Sequence, residues 1–245
     1  MNEQRIALRQ RRDLGEIIQA ALHLYQRNFA ALFVIAAVVV PLGIASAALQ
    51  RAVDDSVGVG FAILGIAILQ LAVNLLAGAA IIIALTKIDQ GGDPTFADTY
   101  DAAFERFGTL LGAFLRALVI VLLLSITIVG LPWAIQRMVR WIFIEQAVIL
   151  DGATPSTALS RSAAAVQGRW WRTLGIAIVI GLISTLPASI VAAVLIVAPV
   201  LVSGTVNSFV NALLLPFAVT AMTLLYFDLQ VRKESDERIA SDPAP

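Results

Sequence analysis

Long runs of apolar residues dominate the chain, and polar residues cluster in the shorter segments between them. A helix rises 1.5 Å per residue and the hydrocarbon core of a bilayer is about 30 Å thick, so one crossing takes roughly 20 mostly apolar residues. Six runs reach or approach that length: 29–49, 60–85, 109–129, 132–150, 174–194 and 206–226. The pattern therefore predicts an all-α, polytopic membrane helix bundle with six transmembrane helices.

The fourth run is the weakest of the six. Five polar residues interrupt it, namely Gln136, Arg137, Arg140, Glu145 and Gln146. An amphipathic helix with charges spaced in this way can instead lie at the membrane surface. Such a surface helix is the alternative interpretation of 132–150.

Composition supports the membrane assignment and narrows the partners. Hydrophobic residues make up 59% of the 245 residues and charged residues 14%, with a net charge of zero and no cysteine. A mean hydropathy of +0.88 would be hard to keep soluble in a globular domain. The basic residues are spread among the connecting segments and interleaved with acids, which favours membrane lipids and other membrane proteins as partners over nucleic acid.

The basic residues also predict the orientation. Five lie before the first run, two and three in the second and fourth connecting segments, and three after the last run, whereas only Arg51 lies in the remaining segments. Because basic loop residues accumulate on the cytoplasmic side, we expect both termini in the cytoplasm. Fifteen arginines against two lysines, with many alanines, favour a multi-pass protein of a bacterial inner membrane.

An internal repeat predicts three hairpins. When Arg27, Arg106 and Arg169 are aligned, apolar residues recur at helical spacing ahead of each of them. Each unit is interpreted as an amphipathic cytoplasmic helix followed by two membrane helices and a short outer turn. Chance similarity among helices rich in alanine and leucine is the alternative. The units define one domain over 13–233, with disordered tails over 1–12 and 234–245.

Several short motifs, taken in order, resemble a known family. They are DLGEII at 13–18, YQRNF at 25–29, ALSRS at 158–162, GRWWR at 168–172 and LYFDL at 225–229. Their order and spacing are similar to those of the glycerophosphoryl diester phosphodiesterase membrane-domain family. The resemblance implies a six-span protein; some members of that family are fused to a phosphodiesterase, and many stand alone without a known function. A phosphodiesterase domain would need a soluble barrel of roughly 250 residues, so we expect no such activity here.

Charge within the central pair of runs marks the candidate site. Arg116 lies in the third run, and Arg137 and Arg140 lie in the fourth. Charged groups are costly in lipid and usually face protein or water. One interpretation is a cavity that binds an anionic lipid headgroup or substrate, because guanidinium groups match phosphate geometry. In the other interpretation the arginines are structural, and Arg140 pairs with Glu145 of the bundle or of a neighbouring subunit.

Polar and aromatic residues at the cytoplasmic ends of the runs predict how the bundle is anchored. We expect Trp170, Trp171 and Tyr226 to lie at the membrane interface, where amphipathic rings concentrate. Asp228 and Arg232 have the spacing of an ion pair on one helix.

Amide side chains within the runs form two similar pairs. Gln70 and Asn74 lie four residues apart, and so do Asn207 and Asn211. We expect each pair to hydrogen-bond across helices, as polar residues in membrane bundles do.

The sequence predicts no catalytic chemistry. His23 is the only histidine, and metal sites usually need several ligands. We therefore expect no metal, no cofactor and no enzymatic activity. The favoured function is a non-enzymatic membrane protein that organises lipid or protein partners. A small transporter or lipid-handling subunit with an anion-binding arginine cavity is the alternative, and an intramembrane enzyme comes third.

The topology yields a first prediction. Reporter fusions after residue 90, after residue 153 and at the C-terminus should report a cytoplasmic location, and fusions near 55, 131 and 203 an external one. A cytoplasmic signal at 131 would contradict the fourth crossing and the three-hairpin layout.

Overall fold

A computed structural model describes residues 8–51 and 57–241, and those residues are helical, with turns and no strand. The helices are α1 Leu14–Arg27, α2 Phe29–Ala36, α3 Val39–Arg51, α4 Val57–Asp89, α5 Phe96–Ser125, α6 Leu131–Arg140, α7 Ile144–Ile149, α8 Ala158–Val166, α9 Trp170–Val194 and α10 Val200–Ser241. Five segments are long and apolar enough to cross a membrane: Phe29–Gln50, Phe61–Asp89, Phe96–Ser125, Trp170–Val194 and Val200–Arg238. The prediction of an all-α membrane protein is confirmed.

The fourth predicted run does not form one helix. It is divided into α6 and α7 by a turn over 141–143, and neither piece has the length of a crossing. Ser162 of α8 is completely buried and provides the hydrogen bonds that the turn lacks. Its hydroxyl donates to the carbonyl of Arg140 at 2.9 Å and accepts from the N–H of Phe143 at 3.1 Å. Six continuous transmembrane helices are therefore not confirmed.

The broken segment runs back along α5. Both α6 and α7 contact α5, and the guanidinium of Arg106 donates to the carbonyls of Val148 and Ile149 at 3.0 and 2.9 Å. The last carbonyls of a helix have no partner within it, so this arginine caps the C-terminus of α7. The end of α7 is thereby held beside the N-terminal third of α5.

The first crossing contains a second interruption, at residues 37–38 between α2 and α3. Pro41 follows at the distance at which its ring would clash with the carbonyl of Ala37 and where its missing N–H breaks the helical ladder. Tyr100 of α5 donates its hydroxyl to the carbonyl of Ile35 at 2.7 Å. A hydroxyl from another helix thus stabilises this interruption too.

Helix α10 forms the centre of the bundle. It contacts α1, α2, α3, α4, α8 and α9, and its buried residues Leu224, Leu225 and Leu229 lie in the main core. Elsewhere large apolar side chains point outward, including Phe61 and Leu123, which are 71% and 63% exposed. Exposed apolar surface of this kind indicates a membrane or partner contact.

A buried carboxylate joins the two ends of the chain. Asp228 is 0% exposed and accepts hydrogen bonds from the Arg12 N–H at 2.9 Å, from Arg172 Nη2 at 3.1 Å and from Arg232 Nε at 2.7 Å. The predicted pair of Asp228 and Arg232 is confirmed. Arg172 and Arg232 also donate to the carbonyl of Arg12. Burial lowers the pKa of the Arg12 side chain, while nearby Glu16 and Asp228 act in the opposite direction.

The tails are more ordered than predicted over the described residues. Leu8 is 4% exposed, and its N–H donates to Asp89 at 3.2 Å. Helix α10 continues through the predicted C-terminal tail to Ser241, and ion pairs connect this part of it to other parts of the chain. These pairs join Arg9 to Glu234 and Arg169 to Asp236. Residues 1–7, 52–56 and 242–245, which include most of the connection between α3 and α4, lie outside the described residues.

The amphipathic helices follow the predicted repeat only in part. Helices α1 and α8 are separate, whereas the second predicted helix is continuous with the crossing in α5. The aligned residues Leu24, Ala103 and Val166 are all buried, but Phe96, which aligns with buried Ile17, is 44% exposed. The threefold repeat and the three-hairpin layout stay predictions.

The turn between α6 and α7 yields a second prediction. Ser162→Ala should lower the free energy of unfolding by about 1–3 kcal/mol, because a buried N–H and a carbonyl lose their partner. Ser189→Ala is the matched control, since Ser189 is exposed and donates only to its own helix. Thermal unfolding in detergent measures both variants. Equal stability of the two would show that the Ser162 hydroxyl does not hold the turn.

Candidate functional site: an arginine cavity beside an apolar groove

The turn at 141–143 lets the end of α6 meet α8. Arg137 and Arg140 lie in the last turn of α6, opposite Arg116 of α5, and all three line one cavity of about 510 Å³. We call it the arginine cavity. Its other lining residues are Trp141, Ser156, Leu159, Ser160, Ala163, Ala164 and Gln167. The structure thus brings together the three arginines that the sequence singled out.

Positive charge in the arginine cavity is not neutralised by the residues that the structure describes. No carboxylate belongs to its lining, and none of the three guanidinium groups makes a hydrogen bond or ion pair with another described residue. The guanidinium of Arg137 lies over the ring of Trp141, 5.6 Å from its centroid, at a distance that allows a cation–π contact. The cavity can therefore bind an anion through several charge-assisted hydrogen bonds.

Glu145 is not the partner of Arg140. Within 8–51 and 57–241, no ion pair joins these residues, and the carboxylate of Glu145 makes no hydrogen bond. The side chain projects from α7 toward α4, where a Cβ at Gly78 would come within 2.7 Å of Glu145 Oε2. Within the chain Arg140 and Glu145 do not pair, because the turn at 141–143 directs the two side chains to different surroundings. Pairing with a neighbouring subunit stays a prediction.

An apolar groove of about 600 Å³ adjoins the arginine cavity. Its walls come from α5, α9, α10 and the α6–α7 segment, with Leu118, Met138 and Ile180 among the lining side chains. Glu145 also lines it. Trp141 belongs to the lining of both the groove and the arginine cavity. A charged recess and an apolar recess therefore share one wall.

The three predicted interface anchors have different environments. Trp171 is 79% exposed, as an anchor requires, and its ring lies edge-on to that of half-buried Trp170, at 4.6 Å between centroids. Tyr226 is 1% exposed and donates its hydroxyl to Asp151. Its ring contacts Phe143 at 5.3 Å. Tyr226 is thus a core residue and not an interface anchor, because its side of α10 is covered by the segment after α6.

Metal-binding chemistry is not assembled in this part of the molecule. Among the described residues, no group of three or more His, Asp or Glu side chains could hold a metal ion. His23 is exposed on α1.

The contribution of α8 was missed by the sequence analysis. Ser156, Ser160 and Gln167 complete the polar wall of the arginine cavity. The available signal was the polar face of α8, opposite the buried residues Ala158 and Ala165. From the sequence alone that face could equally well be exposed to water, because no local sequence pattern marks the turn at 141–143 that brings α6 beside α8.

The comparisons with known proteins show no relative. No family model matches the chain, and no curated protein or solved structure matches it. The resemblance to the glycerophosphoryl diester phosphodiesterase membrane-domain family stays a prediction.

The isolation of Arg140 from Glu145 yields a third prediction. Arg140→Ala should change the free energy of unfolding by less than about 1 kcal/mol, because its guanidinium has no partner to lose. Asp228→Ala is the contrasting variant and should cost about 3–5 kcal/mol, since it strands the arginines that Asp228 pairs. Denaturant or thermal unfolding in detergent measures both. A comparable loss in the two variants would restore the structural interpretation of Arg140.

Proposed function

We propose that this protein is a non-enzymatic integral membrane protein that binds anionic lipid and organises it in a bacterial inner membrane. The observation that carries the proposal is the set of three unpaired arginines in one cavity, next to an apolar groove. A phospholipid has the same two parts, an anionic headgroup and apolar chains. The arrangement matches a lipid better than it matches a small soluble anion, which would use the cavity alone.

The headgroup is assigned to the arginine cavity. Guanidinium groups bind phosphate oxygens with two parallel hydrogen bonds, and their positive charge at membrane depth is offset when an anion binds. Arg137 and Arg140 come from one helix and Arg116 from another, so a bound phosphate would join α5 to α6. Ser160 and Gln167 add neutral hydrogen-bonding groups for the rest of the headgroup.

An acyl chain is assigned to the apolar groove. The side chains that line the groove between α5 and α9 are nearly all apolar. Trp141 lines both this groove and the headgroup site. Apolar contacts along the groove hold the uncharged acyl chain, while the arginines select the headgroup. Glu145 lies deeper in the bundle, over Gly78.

The proposed topology keeps both termini in the cytoplasm and completes a sixth crossing with the broken α6–α7 segment. Two observations support it: the segment returns along α5, and Arg106 caps its far end. Irregular backbone at membrane depth is tolerated where protein covers it, and Ser162 covers this turn.

A transporter is the less favoured alternative. It would require a polar path through the bundle. The arginine cavity and a second polar cavity, between α3, α4 and α10, share none of their lining residues.

Lipid binding yields a fourth prediction. Arg137→Gln and Arg140→Gln should each weaken binding of phosphatidylglycerol about tenfold or more, because one charge-assisted hydrogen bond contributes about 1.5–3 kcal/mol. Native mass spectrometry of the purified protein, titrated with this lipid and with zwitterionic phosphatidylcholine, measures the effect. Arg238→Gln, at an exposed position on α10, is the matched control. Equal weakening in all three variants would indicate non-specific surface attraction and contradict the proposed site.

A second arm of the same experiment tests the groove. Gly181 lines it, and a Cβ at Gly181 would meet nothing within 4 Å, so Gly181→Leu should fill the groove without displacing backbone. Gly175→Leu is the control on the same helix, with equally open space. We expect Gly181→Leu to weaken long-chain but not dihexanoyl phosphatidylglycerol. Unchanged long-chain binding would place the chain elsewhere.

A further inference from the structure

A second polar cavity lies at the end of the bundle away from α1. It measures about 660 Å³ and is enclosed by α3, the N-terminal half of α4, the end of α9 and the start of α10. Both predicted amide pairs line it, Gln70 with Asn74 and Asn207 with Asn211. Gln50 and three serines also contribute, and among the residues that the structure describes none of those lining the cavity is charged. We call it the amide cavity.

Close packing of α3 against α10 forms one side of the amide cavity. Gly43 faces Ser208, and Gly204 faces Ala47, so closely that a Cβ at either glycine would overlap its neighbour. Small residues one turn apart on two facing helices bring the backbones together. The contact fixes α3 against α10, from which Asn207 and Asn211 project, whereas Gln70 and Asn74 project from α4.

The amide side chains that line the cavity have oxygen atoms that accept no hydrogen bond from the described residues. Asn74 Nδ2 donates to the carbonyl of Gln70 at 2.7 Å, and Asn211 Nδ2 donates to that of Asn207 at 2.9 Å. These amides bond along their own helices, and the prediction that they bond across helices is wrong. Because only the nitrogen can donate to a carbonyl, the orientation of both amides is fixed. Their side-chain oxygens make no hydrogen bond with the described residues.

The Asn207 side chain strengthens this pattern. Its Oδ1 is buried and has no hydrogen-bond partner among the described residues. The hydroxyls beside it are already used as donors, since Ser208 donates to Gly204 and Ser203 to Val200. A buried polar atom without a partner destabilises the folded protein. A ligand that donates hydrogen bonds would recover that cost.

We propose that the amide cavity binds a neutral, multiply hydroxylated ligand, either a free sugar or the sugar headgroup of an amphiphile. Hydroxyl groups supply the donors that the unused carbonyl oxygens lack, and the uncharged side chains among the described lining residues favour a neutral ligand. The volume lies within the range of about 300–1,000 Å³ typical of small-molecule sites and exceeds the space of one coordinated cation. In the proposed orientation the site faces the outside of the cell.

Two variants separate ligand binding from structure. Asn207→Leu and Gln70→Leu remove polar groups on facing helices, and neither of these side chains makes a hydrogen bond with the described residues. Both should therefore fold. Gln136→Leu is the matched control, because Gln136 is an exposed amide on α6 outside both polar cavities.

The probes are dodecyl maltoside and free maltose, titrated calorimetrically into the full chain. An amine-oxide detergent keeps the protein soluble, because maltoside detergents themselves carry the proposed headgroup. We expect saturable binding of at least the maltoside, weakened tenfold or more by Asn207→Leu and by Gln70→Leu and unchanged by Gln136→Leu. Binding of free maltose as well would identify soluble sugars as ligands, and binding of the maltoside alone would identify a headgroup.

Two results would overturn the proposal. One is that no sugar binds at this cavity: neither probe shows saturable binding, or all three variants bind the probes as well as the unaltered protein does. The other is saturable binding of sodium, with choline chloride as the reference salt, in the absence of sugar binding. That result would identify a cation site formed by the amide oxygens. Neither result bears on the arginine cavity, which lies on other helices.

Discussion

The need to satisfy backbone hydrogen bonds inside an apolar environment governs this structure. A helix satisfies all of them except those at its two ends, and every interruption has to find partners elsewhere. At the turn between α6 and α7, the hydroxyl of Ser162 is the partner for two backbone groups. It accepts a hydrogen bond from one and donates a hydrogen bond to the other. Because Ser162 holds the turn, the last turn of α6 lies beside α8, and its arginines line the cavity between these helices.

The arginine cavity depends on this geometry in a second respect. In an uninterrupted helix, Arg140 and Glu145 would lie five residues apart on the same helix. The turn directs their side chains to different surroundings, so the arginines line one cavity while the carboxylate of Glu145 lies over Gly78. Unpaired charge of one sign is costly in a bundle. It is maintained here because it is partly exposed, and because Trp141 stacks against Arg137.

The sequence predicts the helical class and five of the crossings because hydropathy over about 20 residues is a local property. It does not predict the division of 132–150, because that depends on Ser162, which follows the turn by about 20 residues. The burial of Tyr226 was missed for the same reason: an aromatic ring at the end of an apolar run has an interface signature whether or not another segment covers it. The three arginines that line one cavity could be singled out from the sequence because charge in an apolar run is conspicuous without any knowledge of contacts, whereas the polar face of α8 is ordinary.

The buried carboxylate of Asp228 has a consequence for biosynthesis. It accepts hydrogen bonds from the backbone of Arg12 and from the side chain of Arg172, groups that leave the ribosome long before it does. The contact between the segment ahead of α1 and Asp228 therefore cannot form until α10 has been translated and inserted, whereas the contact of Leu8 with Asp89 can form earlier. This end of the bundle is completed late in synthesis, and a product terminated before α10 would leave Arg172 without its buried carboxylate.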